Sequence, residues 1–368
     1  MKINQKTELN KHFIQNLIFR VISVVYREGL SPKQVCKLIR SRPFIQGISL
    51  LILGLLVVGC TPSSSSSSSS VSSQVDSKKL GYVTSFYPLA FILQTLTQDI
   101  PEMSVQNLTP QGEDPAIWTP SPSVLQKYQK ATFIFLNGAH FEQWVDHVSL
   151  PLSRTIYTAR AFKKEWVNYD HAVVHKHGPE GEHSHQGLDG HTWLDPLNLL
   201  AQGEVIYQKI YTQASQAQRL LIKKRWSSLK ANLQDLHKRW LTLAPKLSTF
   251  LIVASHPAYN YLRKRYQLNL VSLDFDPDTP LTLTQLKTIQ AQQDKHPHLK
   301  SLMVWWESQP HPKTQTLLTQ AHLPSFVISP LESSPSPSDY LQASHALINL
   351  LQKYVDSSKT SLPSPEHQ

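Results

Sequence analysis

Cysteine is nearly missing from this chain. There are two, Cys36 and Cys60, and none after position 60, so no disulfide is available to the part that would form a globular core. Acidic residues are also short: 26 against 36 Lys and Arg, for a formal charge of +10. That excess first suggests an acidic partner. It is, however, unevenly placed, since residues 1–59 carry nine basic and two acidic side chains and so hold +7 of it. The remainder is close to balance, and a nucleic-acid reading loses its main support. Long hydrophobic runs are lacking as well. The run from Ile48 to Gly59, ISLLILGLLVVG, is twelve residues, too few to span a bilayer comfortably. No HExxH, GxSxG or P-loop pattern is present, so the sequence gives no support to the common hydrolase and nucleotide-binding classes.

Histidine, by contrast, is dense in one place. The stretch from His171 to Asp195 reads HAVVHKHGPEGEHSHQGLDGHTWLD and holds His171, His175, His177, His183, His185 and His191. Glycine, proline and acids break any hydrophobic period, which predicts a loop. Imidazole suits zinc, copper and nickel, and histidines two apart on an extended backbone can share one ion. A tract this rich reads first as metal-binding, against the plainer reading of a solvated polar loop.

The basic leader and the short apolar run have the form of an export signal. The run ends in Leu56-Val57-Val58-Gly59-Cys60, followed by Thr61-Pro62 and eight serines, Ser63–Ser70. An apolar run, a small residue and a cysteine resemble a bacterial lipoprotein lipobox. That resemblance implies cleavage before Cys60, lipid on its sulfur, and a serine-rich tether beyond it. One acyl chain alone would hold a membrane weakly, so firm anchoring needs more than one.

Past the tether, short apolar runs alternate with amphipathic ones. Strands are expected at Leu80–Phe86, Met103–Leu108, Ala131–Leu136 and Arg154–Tyr157, with helices at Pro88–Thr97, Pro122–Lys130 and His140–Val148. After a helix from Leu197, Trp226, Leu229, Leu233, Leu236, Trp240 and Leu243 recur at gaps of three and four, an apolar stripe on one helix that Ala244-Pro245 ends. The alternation then restarts, with strands at Phe250–Ala254, Leu268–Leu273, Leu302–Trp305 and Phe326–Ser329. Helices follow Ser255-His256-Pro257 and fill Leu281–Gln293, Thr314–Gln320 and Asp339–Tyr354. Strand–helix alternation implies parallel sheets covered on both faces. The expected fold is therefore α/β, two lobes of parallel sheet joined by a long rigid helix. The expected organisation is a leader (1–59), a lipidated Cys and tether (60–77), a first lobe (78–200) with the His-rich loop at 171–191, linker helices (201–245), a second lobe (246–356) and a frayed tail (357–368). Ligands of such sheets bind beyond the carboxyl ends of strands, where Asp114–Trp118, His191 and His256 fall.

Gly190-His191-Thr192-Trp193-Leu194-Asp195-Pro196, behind its His-rich tract, resembles the HxWLDP segment of bacterial zinc/manganese ABC-transporter substrate-binding lipoproteins. Thr84–Leu89 resembles that family's TSFYPL segment, and Glu113-Asp114-Pro115 through Pro120-Ser121-Pro122 its DPHxYEPSP run. Asn137-Gly138 to Trp144 is similar to NGxxxExW, and Ser255–Tyr259 with Arg265-Tyr266 to the HdAfxY…rY helix. The resemblance covers about 78–356. It implies an exported, non-enzymatic binding protein, monomeric and lipid-anchored through Cys60 on the outer face of the plasma membrane or in the periplasm. Its partner would be an ABC permease, to which it delivers a metal held between its lobes.

The family's ligands are three histidines and a carboxylate. His191 and His256 fall on ligand positions, whereas Ala116 stands at the first histidine and Ser329 at the late carboxylate. Glu113 or Asp114 could fill the gap, or His183 or His185 from the tract, or the cleft has lost its metal. Glu113 and Asp114 read equally as turn residues. Glu307, at a strand end, is a weaker ligand candidate beside a supporting or surface role. Zn²⁺ is expected over Mn²⁺, because no matched carboxylate survives and hard ions want oxygen. The alternatives are a zinc buffer acting through the His-rich tract, a surface interaction protein without cleft metal, and a zinc hydrolase using His191, His256 and Glu113.

Overall fold

A computed structural model describes residues 79–169, 173–176, 182–185, 187–299 and 301–360. The first lobe opens with β1 (Leu80–Thr84), α1 (Tyr87–Thr97), β2 (Met103–Asn107), α2 (Pro122–Lys130), β3 (Phe133–Leu136) and β4 (Thr155–Tyr157). Its four strands are all parallel, in the order β2-β1-β3-β4. The second lobe contains β7 (Phe250–Ala254), α5 (Asn260–Tyr266), β8 (Leu270–Ser272), α6 (Leu283–Lys295), β9 (Ser301–Trp306), α7 (Pro312–Gln320) and β10 (Ser325–Val327). It too is parallel, in the order β10-β9-β7-β8. Phe250–Ala254 is buried at every position and Leu302–Trp306 at all of its length, as expected for strands covered on both faces.

Between the lobes run α3 (Pro196–Gln213) and α4 (Gln216–Leu247). At 32 residues, α4 is about 48 Å long. The stripe Trp226, Leu229, Leu233, Leu236, Trp240 and Leu243 is buried throughout. A capping box of Ser215 and Gln218 starts the helix. The last helix, α8 (Tyr340–Thr360), packs back along α4. One apolar cluster runs from Leu89 and Ile206 through Trp226 and Trp240 to Tyr259, Trp305 and Leu351, so the two sheets share a core.

Several expectations need correction. Pro245 does not end α4; the helix continues to Leu247, with Pro245 inside its final turn. Proline removes one donor there, but Leu243, Ala244 and Leu247 stay buried against the core, and that burial outweighs the stop signal. The expected helix His140–Val148 is only a 3₁₀ segment, Gln143–His147. Gly138, Ala139 and His140 all adopt left-handed φ, and such a turn cannot begin an α-helix. The final helix runs past Tyr354 to Thr360. The His-rich stretch is not wholly a loop either. β5 (Val173–Lys176) and β6 (Glu182–His185) form an antiparallel hairpin in which His175 lies opposite His183. A period-2 signal over four residues was hidden by the histidines. His171 and His177 lie outside the described residues, as do Cys60, the leader and the serine tether.

Gly203 of α3 packs directly against Trp226 of α4. A Cβ there would stand 2.8 Å from Cζ3 of Trp226. That indole is stacked on Tyr207 and donates to Glu204, so it has little room to move. Gly203→Ala should gain up to about 1 kcal/mol of helix propensity and lose about 1–3 kcal/mol to overpacking. A net fall in Tm is therefore expected, and thermal unfolding by circular dichroism checks it. A rise would mean that Trp226 swings aside freely.

Candidate metal centre

The strand orders decide where side chains converge. In the second sheet the chain leaves β7 for β8 on one side and returns to β9 on the other, so the crevice opens beyond the ends of β7 and β9. His256 follows β7 and Glu307 follows β9. His256 Nδ1 lies 3.1 Å from Glu307 Oε2, with both side chains largely buried. In the first sheet the equivalent crevice lies beyond β1 and β3. His191 is not on either strand but is brought there by Asn137, the residue after β3. Asn137 Nδ2 donates to the Gly190 carbonyl at 2.9 Å, and Thr192 Oγ1 donates to Asn137 Oδ1 at 2.6 Å. Gly190 must be glycine, because a Cβ would stand 2.9 Å from both Cα and Cβ of Phe141.

His191 is buried and paired on both nitrogens. Nδ1 lies 2.8 Å from Asp189 Oδ1 and Nε2 lies 3.3 Å from Glu332 Oε1. Asp189 also accepts from the His191 backbone N–H, at 2.9 Å, and from the Tyr169 hydroxyl, at 3.2 Å. Across the cleft the rings of His191 and His256 stand 5.3 Å apart at 84°. Two imidazoles sharing one tetrahedral zinc, each with a Zn–N bond of about 2.0 Å, have ring centroids about 5 Å apart. As the side chains stand, no group of three or more His, Cys, Asp or Glu among the described residues already surrounds one point. The carboxylates are spent on the imidazoles instead.

Electrostatics follow from this crowding. Burial alone would lower the His191 pKa, but hydrogen bonds to Asp189 and Glu332, and the charges of both, outweigh it and raise it to about 10. Glu307 is raised to about 8, first by burial and next by the charge of Glu332, with His191 acting in the opposite direction.

The rest of the HTWLDP stretch holds the lobes together. Trp193 is fully buried, donates Nε1–H to the Pro330 carbonyl at 2.7 Å, and its own carbonyl accepts from Tyr340. Asp195 caps α3 by accepting from Leu197 N–H and pairs with Arg265 of α5 at 2.6 Å. The segment that carries Glu332 is fixed from the first lobe, since Tyr87 N–H donates to the Glu332 carbonyl at 3.0 Å.

These contacts border a cleft of about 640 Å³ lined by His191, His256, Glu307 and Glu332 together with Glu113 and Asp114. The chain matches the family described as zinc-uptake complex component A, periplasmic, over residues 83–354. It belongs to that family. It is 30% identical over 252 residues to the high-affinity zinc uptake system protein ZnuA of Bacillus subtilis (strain 168), a match covering 64% of this chain and 73% of the relative. It is 26% identical over 293 residues to the zinc-binding lipoprotein AdcA of Streptococcus pneumoniae (strain ATCC BAA-255 / R6), covering 78% of this chain but 55% of that longer relative, so it spans about half of it. Among solved structures, the Zn(II)-bound ZnuA-like domain of Streptococcus pneumoniae AdcA superposes with a TM-score of 0.60 at 22% identity, over 76% of this chain and 99% of that one. At that identity the likeness speaks for the fold. The family is a substrate-binding component of a transport system, which answers the enzyme alternative: this chain is not a hydrolase.

The residues named from sequence divide in the fold. His191 and His256 face each other. Ala116 and Ser329 both line the cleft and supply no imidazole or carboxylate. The Asp114 side chain accepts from the Ala116 backbone N–H at 2.8 Å, and both it and Glu113 line the cleft, where the Asp114 charge helps raise the Glu307 pKa. His183 and His185 lie on β6, and their side chains are outside the described residues. Two residues escaped sequence reasoning. Glu332 lies three positions beyond Ser329, in a serine- and proline-rich stretch whose path no periodicity gives. Asp189 lies two before His191; the Asp-x-His spacing was its only signal.

Proposed function

We propose that this protein captures a divalent transition metal outside the cytoplasm and passes it to an ABC-transporter permease. The observation that carries the reading is the facing pair His191 and His256, one from each lobe, with Glu332 on His191 Nε2. His191 Nε2, His256 Nε2 and one oxygen of Glu332 are the ligands in this reading. Asp189 on His191 Nδ1 and Glu307 on His256 Nδ1 then fix tautomer and ring orientation, as carboxylates commonly do behind metal-bound histidines. Zinc is the cargo we favour. The earlier ground for it, absence of a carboxylate, no longer holds, since Glu332 and Glu307 both border the cleft. A better ground is affinity order: a site of imidazole and carboxylate binds zinc more tightly than manganese. Cys60 as lipid anchor, a monomeric state and the His-rich hairpin as an accessory collector complete the proposal.

Calorimetric titration of the protein with zinc tests it. One tight site is expected in addition to any weaker binding by the histidine tract, and it should persist when residues 171–187 are deleted. If all binding disappears with that stretch, the cleft is not a metal site and the buffer reading stands. Manganese should bind the same site at least about tenfold more weakly.

A further inference from the structure

Charge is unevenly placed on the folded part of the chain. Helix α4 carries eight Lys and Arg against a single acid, Asp235, for +7, whereas the rest of the chain after position 59 sums to −4. Four of the eight are taken up by packing. Arg225 pairs with Asp99 and Lys246 with Asp356, Arg239 reaches His345 and Asn349, and Arg219 donates to the carbonyls of Tyr211 and Thr212. The other four, Lys223, Lys224, Lys230 and Lys238, are exposed and pair with no carboxylate among the described residues. At about 100° per residue they fall within an arc of about 120°, opposite the buried stripe from Trp226 to Leu243. Leu220, 70% exposed, and Leu241, 50% exposed, share that arc. They stand about 32 Å apart along the axis. A helix face built only for solvation usually interleaves acids and bases one turn apart. Here only Lys238 has an acid within a turn, Asp235, and the other three have none to offset their mutual repulsion.

We infer that this outward face of α4 is a docking surface for an anionic lipid bilayer. Ammonium groups attract lipid phosphates, and each lysine close to an anionic surface strengthens binding by about fivefold. Leu220 and Leu241 enter the boundary between headgroups and acyl chains, a contact that a soluble polyanion does not offer. The main apolar stripe of α4 stays in the protein core, so the contact is peripheral and reversible. A lipid chain on Cys60, as proposed above, is then joined by an electrostatic hold, the pairing of two weak signals that firm attachment requires. No α4 residue borders the cleft, so a bilayer on this face touches none of the residues around His191 and His256. The inference is independent of metal capture.

Residues 76–368 form one compact unit that contains the whole shared core, so they can be tested without Cys60 and the leader. Cosedimentation is measured with vesicles of phosphatidylcholine alone and of phosphatidylcholine mixed equally with phosphatidylglycerol. Binding to the anionic vesicles should be at least about 100-fold tighter and should weaken as salt is added. K223Q/K224Q/K230Q/K238Q should lose most of that preference. K127Q/K130Q/K287Q/K313Q makes the same charge change at exposed positions on α2, α6 and α7 and should stay within about threefold of the unaltered protein. L220A/L241A should bind the anionic vesicles about tenfold more weakly. Equal loss in the two quadruple variants would mean that net charge alone is at work, and overturns the inference. So does binding to polyphosphate as tight as to the anionic vesicles with L220A/L241A unchanged, which would make the face a polyanion site. Absence of any preference for anionic vesicles overturns it as well. Zinc titration of the unaltered protein is a separate readout: its failure would sink the metal-capture reading and leave this one standing.

Discussion

His191→Ala should weaken zinc binding by at least about 100-fold, or about 2.7 kcal/mol. Loss of a carboxylate behind a metal-bound histidine typically costs 10–100-fold, and loss of the ligand itself should cost more. The substitution also leaves Asp189, which is fully buried, without its imidazole partner, and removing one member of a buried charged pair destabilises a fold. His256→Ala supplies an independent check from the other lobe. Its imidazole lies against Glu307, which keeps 14% of its side-chain surface and can reach water. The same order of loss is expected there with less effect on stability. Asp189→Asn completes the series: the ligand remains, its orienting partner is neutral, and the loss should fall to about 10–100-fold. Calorimetry on all three, with thermal unfolding beside it, separates binding from folding. Should His191→Ala and His256→Ala both bind zinc as tightly as the unaltered protein, the ion is held elsewhere.

The fold was legible because burial repeats. Trp226 to Leu243 fall on one face at gaps of three and four, and that signal survives whatever surrounds it. Phe250–Ala254 is a short β-branched and aliphatic run that only a buried strand explains well. The site was half legible. His191 and His256 stand beside recognisable segments close to strand ends. Glu332 does not. It follows β10 in a stretch held by contacts remote in sequence: Tyr87 N–H on its carbonyl and Trp193 on the Pro330 carbonyl. Position-by-position comparison put Ser329 opposite a carboxylate and found none. Only the path of the chain, with Leu331 in left-handed φ, brings the acid three residues later back to the histidine. The role of Asn137 was hidden for the same reason. Asn-Gly reads as a turn, and nothing local says that its amide holds Gly190 and its carbonyl accepts from Thr192, 55 residues away.

Zinc affinity should rise steeply with pH through the neutral range. The pKa of His191 is raised to about 10, so between pH 6 and 8 its imidazole is protonated before the metal enters, held between Asp189 and Glu332. A metal needs the Nε2 lone pair, and zinc must therefore displace that proton. The sign follows directly. The proton competes with the ion, competition weakens as pH rises, and apparent affinity gains about tenfold per pH unit per displaced proton, or about 100-fold from pH 6 to pH 8 for His191 alone. Glu307, raised to about 8, adds to the slope below its own pKa, because a dication nearby favours its ionised form. Between one and two protons should thus leave per zinc bound at pH 6.5. Calorimetric titrations in buffers of differing ionisation enthalpy measure that number. A value near zero, or an affinity flat from pH 6 to pH 8, would show that His191 Nε2 is not a ligand. In His191→Ala the slope should fall by about one proton, which ties the pH dependence to that ring and not to the histidine tract.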